Sequence, residues 1–187
     1  MVEYEMDIPL DIGATSADAA SLLTPADRPL LVVRRRFRAP RELVWRCYTD
    51  PVHLVRFWGP KGATNPVSKV DLRVGGAWRQ VMRFPAGNEY GYTSIFLEIA
   101  PPRRLVWRDA PDGSRFGDPL PPATFVTSLD LDEADGQTTL TVHVTFPTPA
   151  ERDAAMARGF ARTITDSFDK FAAYVATLAP ATGRQES

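Results

Sequence analysis

The sequence predicts an α+β protein of the helix-grip kind, with one curved antiparallel sheet of about six to seven strands wrapped around a long C-terminal helix. Three observations predict it. Strand-like runs follow one another from residue 68 to residue 146 with no helix between them, which favours antiparallel pairing. Residues 148–179 repeat apolar side chains at helical spacing and need a sheet to cover them. Most of the 17 prolines fall between these segments and mark their ends.

Residues 1–28 read as a weakly ordered lead-in, with room for one helical turn near Asp18–Leu23. "LLVVRRRFR", residues 30–38, is the first strand, although neither of its faces is cleanly apolar. In "APRELVWRCYTD", Pro40 suits a first helical position, and Leu43, Val44, Cys47 and Tyr48 share one face. Asp50-Pro51 repeats the start signal, so "VHLVRFW" is a second short helix that stops at Gly59-Pro60.

The strands follow. "SKVDLRV" leads to a turn at Gly75-Gly76. "AWRQVMRF" alternates, with Trp78, Gln80, Met82 and Phe84 on one face and Arg79 and Arg83 on the other, solvated one. In "GYTSIFLEIA" an inner face of Ile95, Leu97 and Ile99 sends Glu98 outward and leaves Phe96 exposed. "RRLVWRD" follows the Pro101-Pro102 turn, and residues 110–122 are a proline-rich loop. "ATFVTSLDLDE" and "QTTLTVHVTF" flank the turn "ADG". The last helix opens with Thr148 as N-cap, Pro149 and Glu151, a capping-box pattern. Its stripe of Met156, Phe160, Ile164, Phe168, Phe171, Val175 and Leu178 interrupts only at Gly159, which costs helix stability and suggests room for a ligand or a crossing strand.

Length suits one domain, here residues 29–179, with a disordered tail at 180–187. The net charge of −1 gives no global attraction to nucleic acid or anionic membrane. It conceals an asymmetry. Residues 1–27 hold six acids and no Lys or Arg, leaving 22 basic and 17 acidic residues in the rest. Cys47 is the only cysteine, so an internal disulfide and a multi-cysteine zinc site are both excluded. The start lacks the basic and apolar regions of a signal peptide, and no run approaches the ~18 apolar residues of a membrane span. A cytoplasmic protein is expected.

"FRAPRELVWRCYTDPVHLVRFWGPKG", "VDLRVGGAWR", "FLEIAPPRRLVW" and the C-terminal helix together resemble the START-like, or SRPBCC, superfamily, whose fold is also described as Bet v-like. The branch they are most similar to is the one named after the activator of the ninety-kilodalton heat-shock protein's ATPase, and the resemblance covers roughly residues 30–178. It implies a deep, mostly apolar cavity between the curved sheet and the long helix, with Phe57 and Trp58 closing one end. The superfamily includes lipid carriers, hormone receptors and polyketide cyclases, so the fold alone does not select a function.

Ligand-binding candidates on this reading are Trp58, Trp78, Gln80, Met82, Ile95, Leu97, Trp107, Phe125, Phe160, Thr163 and Ser167. The tryptophans line a pocket or fill the core. Gln80, on an apolar face, needs polar partners, from a ligand or from the protein. Thr163 and Ser167 lie about 60° and about 20° from Phe160 on the helical wheel. They mark a wet cavity, or bond back to the preceding turn. Asp109 ends a strand, where it would serve as an acid or base at the mouth, or simply as a turn residue. His53 and His143 lie on different elements and are expected to hold no metal and do no catalysis. No catalytic residue is assigned, and no cofactor or metal is expected.

Three functions follow. The first is binding of a hydrophobic or amphipathic small molecule without covalent chemistry. The second is a polyketide-cyclase or hydrolase type of enzyme using the same cavity. The third, resting on the branch name alone, is an interaction module that stimulates a chaperone's ATPase. No nucleic-acid partner is expected, and the open edge of the sheet would permit a homodimer.

Overall fold

The computed structural model describes residues 19–110 and 125–178. The expected lead-in up to residue 18, nearly all of the proline-rich loop and the tail at 180–187 lie outside the described residues. Strands β1 (Ser21–Leu23) and β2 (Leu30–Phe37) precede helices α1 (Arg41–Thr49) and α2 (Pro51–Phe57). Then come β3 (Thr64–Val70), β4 (Ala77–Arg83), β5 (Glu89–Ala100), β6 (Arg104–Ala110), β7 (Val126–Ala134) and β8 (Gln137–Thr145). Helices α3 (Pro149–Ala157) and α4 (Phe160–Leu178) close the described chain. The eight strands form one antiparallel sheet, in the order β1-β2-β8-β7-β6-β5-β4-β3. This is the helix-grip architecture that the sequence predicts.

Local chemistry sets the helix starts. The Asp50 carboxylate accepts from the Val52 amide at 2.9 Å and so caps α2. Thr148 caps α3 by accepting from the Glu151 amide at 3.2 Å, and its hydroxyl donates to the Glu151 carboxylate at 2.9 Å. Alternation then builds the core. Val33 and Phe37 of β2, Leu140, Val142 and Val144 along β8, and Leu129 and Leu131 of β7 face Val44, Tyr48 and Phe57 of the short helices and Phe168, Phe171 and Val175 of α4. Arg35 shares that inner face and reaches Asp169 of α4 at 2.5 Å, which explains why β2 looked clean on neither side.

Four expectations are corrected. Residues 21–23 form an edge strand rather than part of a helical turn, because pairing with Val32–Arg34 satisfies their backbone. The strand expected at 68–74 runs earlier, and residues 71–76 make the turn, closed by the Asp71 amide on the Ala77 carbonyl. The single C-terminal helix is two, parted at Gly159, whose φ of +84° no helix accommodates. A Cβ there would meet nothing within 4 Å, so backbone conformation explains this glycine and room for a ligand does not.

The fourth concerns β5. Its register against β6 shifts between Phe96 and Glu98, and this bulge reverses the phase. Phe96 is 2% exposed and lies in the core, whereas Leu97 is 36% exposed. Ile95 is buried on the face opposite Phe96, where it pairs with Ala77 and Arg108. Ile99 and Glu98 sit as expected, inward and outward, because the bulge restores their phase. Ile95 and Leu97 therefore leave the candidate set.

Candidate functional site

The concave side of β3–β6, under the turn that joins α2 to β3, carries the polar groups Gln80, Ser94 and Asp109. The turn is held from below. Lys170 of α4 donates to the carbonyls of Trp58, Gly59, Pro60 and Ala63 at 3.1, 3.4, 3.4 and 3.3 Å. Burial lowers the pKa of its ammonium. Ser167 donates to the Phe57 carbonyl at 3.2 Å. Gly59 is needed here twice over, with φ at +85° and a Cβ position only 2.6 Å from the sulfur of Met82.

From this turn an amide chain runs into the sheet. Asn65 donates to the Trp58 carbonyl at 2.9 Å and accepts from the Gln80 amide at 2.8 Å. Gln80 in turn accepts from the Trp78 indole at 3.2 Å. Gln80 is fully buried, and these bonds answer its need for partners from within the protein. The chain fixes two indoles. Trp58 and Trp78 cross with ring centres 4.5 Å apart, and Trp107 meets Trp78 at 5.6 Å. Tyr92 and Phe96 complete the wall at 6.4 and 6.5 Å from Trp78.

Beside this wall sits a carboxylate. Ser94 and Asp109 are cross-strand partners, and the Ser94 hydroxyl donates to Asp109 at 2.6 Å. Trp78 is the partner of Ser94 on its other side, and Trp107 lies two residues before Asp109 on the same face. Burial pushes the Asp109 carboxyl up to about 6, against the bond from Ser94. Burial also raises the Tyr92 phenol well above its ordinary range, with the charge of Asp109 adding to the rise and a bond from Trp58 opposing it.

A second aromatic group borders the same row. Phe125 directly precedes Val126, the partner of Arg108, and packs on Phe146 and Phe160 at 5.5 and 5.2 Å. Trp58, Tyr92, Asp109, Phe125 and Phe160 are only half-buried, unlike Trp78 and Trp107. They mark where this side opens. The structure thus gathers Trp58, Trp78, Gln80, Met82 and Trp107 at one end and Phe125 and Phe160 beside it. Thr163 bonds back to the Gly159 carbonyl at 3.4 Å, and Ser167 is spent on α2. Sequence reasoning left out Asn65, Tyr92 and Ser94 and set Asp109 aside. The alternation of Tyr92, Ser94 and Phe96 is the signal that points to Tyr92 and Ser94; Asn65 and Asp109 lie on other strands, β3 and β6.

The convex side has a hollow of about 240 Å³ lined by Glu98, Arg104, Val106, Val126, Ser128, His143 and Thr145. Ser128 and Asp130 both address Nδ1 of His143, at 3.4 and 3.5 Å. A nucleophile–base–carboxylate relay needs the hydroxyl and the carboxylate on opposite ring nitrogens. Arg104 binds both Asp130 and Glu98, so the group is an ion-pair network across strands. Cys47 is buried, which pushes its thiol up to about 11 and away from nucleophilic use. Among the described residues no three His, Cys, Asp or Glu side chains cluster as metal ligands, and no helix is long and apolar enough to cross a membrane.

Comparison with solved structures finds the same fold repeatedly. A crystal structure of a protein from Nitrosomonas europaea has a TM-score of 0.74 and 25% identity, covering 84% of this chain and 99% of that one. A protein from Mycobacterium smegmatis gives 0.73 at 22%, covering 84% and 98%. The AHSA1 protein of Silicibacter pomeroyi gives 0.63 at 23%, covering 80% and 99%. No curated protein matches the chain. Residues 38–176 match the family described as "Activator of Hsp90 ATPase homolog 1-like protein", a span that takes in both short helices, the sheet from β3 onward and nearly all of α4. The chain belongs to that family.

Proposed function

We propose that the protein binds a hydrophobic or amphipathic small molecule, without covalent chemistry, on the concave side between the sheet and α4. The observation that carries this reading is a half-buried carboxylate set among aromatic rings. Among the described residues Asp109 has one hydrogen-bonding partner, Ser94, on a face that also carries Trp78, Trp107 and Tyr92. An interior arranged only for stability has no use for such a group, since a buried carboxylate with one neutral partner and no opposite charge is destabilising. A ligand site does, because a few placed polar groups in an apolar wall are what orients a small molecule.

The test is native mass spectrometry of the protein purified from its own host, followed by extraction of what it carries. A stoichiometric small molecule, lost on Trp78→Ala with the fold retained by circular dichroism, supports the reading. A protein that is always without one, and a partner chain recovered instead, overturns it. Conversion of the retained molecule on incubation would replace binding with catalysis, with the raised carboxyl of Asp109 as the acid or base.

A further inference from the structure

We propose that the molecule bound on the concave side is a cation, an amphipathic amine whose ammonium group pairs with Asp109. The proposal rests on the binding reading above and names its ligand class. Three observations carry it. An ionised carboxyl accepts at about four positions, and among the described residues only Ser94 donates to Asp109. Strand register sets aromatic residues beside it. Trp78 and Trp107 stand on neighbouring positions of the same face, Trp58 and Tyr92 close on Trp78, and Phe125 ends the adjoining row. Aromatic faces attract cations.

The third observation is the fate of the basic groups on this side. Among the described residues Arg35 lies on β2, three strands from β6, and pairs through one guanidinium nitrogen with Asp169, while Lys170 serves the carbonyls of the α2–β3 turn. A fatty-acid carboxylate placed beside Asp109 would face a like charge. An alcohol would be tolerated but would leave the charge of Asp109 unpaired. An ammonium satisfies the carboxylate and the rings together, and its apolar tail has Phe125, Phe146 and Phe160 to lie against.

The test uses three probes with one tail, decylamine, decanol and decanoate, each below its micelle concentration. Binding to the full chain is followed by calorimetry and by quenching of tryptophan fluorescence. Decylamine is expected to bind at least about tenfold more tightly than decanol, and decanoate not at all. Asp109→Asn, which keeps the shape and the bond to Ser94, is expected to erase the preference for the amine while decanol binds as before. Ser94→Ala keeps the charge and is expected to keep the preference. Decanol or decanoate binding as well as decylamine overturns the cation and leaves small-molecule binding standing. An amine preference that survives Asp109→Asn overturns the role of Asp109. Failure of all three probes overturns the proposal, and a protein that also carries no molecule from its host takes the binding reading with it.

Discussion

At the scale of single residues, Asp109 is the group whose environment departs furthest from water among the carboxylates of the concave side. Burial raises its pKa from 3.8 to about 6. Between those values the folded protein holds a proton that the unfolded chain has released. Stability therefore falls as pH rises through that window and levels off above it. The loss is about 2–3 kcal/mol for a shift of this size. Asp109→Asn removes it, so the variant should equal the wild type near pH ~4 and exceed it by that amount near pH ~7.5. Urea melts of both proteins across that range measure the difference, in which the other titrating groups cancel. A difference independent of pH would show that Asp109 is not held in a dry site. Gly159 gives a second residue-scale prediction. With φ at +84° and open space around it, a side chain there meets strain and no clash. Gly159→Leu should cost about 1–2 kcal/mol and Gly159→Asn clearly less, because Asn tolerates the left-handed region. Equal costs for the two would mean that crowding, and not backbone conformation, governs the joint between α3 and α4.

At the scale of elements, the ties that make the site are long in sequence and short in space. Lys170 holds a turn 107–112 residues upstream, and Gln80 reaches Asn65 across the β3–β4 pair. Lys170→Met keeps the apolar stem and removes the donor from four carbonyls. It should destabilise the protein by about 1–3 kcal/mol in urea melts. It should also loosen Trp58, seen as faster quenching of tryptophan by acrylamide. Unchanged stability and quenching would show that the turn stands without the ammonium. These ties also explain what the sequence could and could not reveal. The caps at Asp50 and Thr148, the apolar face of α1 and the alternation of β4 are written in neighbouring residues, and all are read correctly from them. The bulge at Leu97 is set by pairing with β6, and it reversed the phase of Ile95 and Phe96. The break at Gly159 was visible as a glycine, but periodicity continued past it on both sides. The tryptophans of the site were legible as large apolar groups near turns. The Ser94–Asp109 pair was not, since register between strands brings together residues that no local pattern links.

At the scale of the whole molecule, the open sheet has two edges, and whether either recruits a second copy depends on what it offers. Among the described residues β1 is three residues long and covers only Val32–Arg34 of β2, so that edge is stepped and offers an incoming strand only short stretches of backbone. β3 forms the other. It carries Pro66, which has no amide to donate, a break in register between Thr64 and Val67, and Lys69 on the outward face. Short length, proline, irregular register and lysine are the means by which edge strands resist pairing with another chain. The convex face adds charge without a single sign, since Arg104 is matched by Glu98 and Asp130, and Arg83 by Glu89. The concave face packs against α1, α2 and α4 and opens beside Trp58, Tyr92 and Phe160. Among the described residues no surface combines an open ladder with a flat apolar area, so the expected state at micromolar concentration is a monomer, measured by sedimentation velocity. A dimer would sink the edge argument if hydrogen exchange showed the β3 amides protected on association. It would also make the concave site the property of one chain packed against another, and the binding of decylamine would then depend on protein concentration, which the monomer forbids.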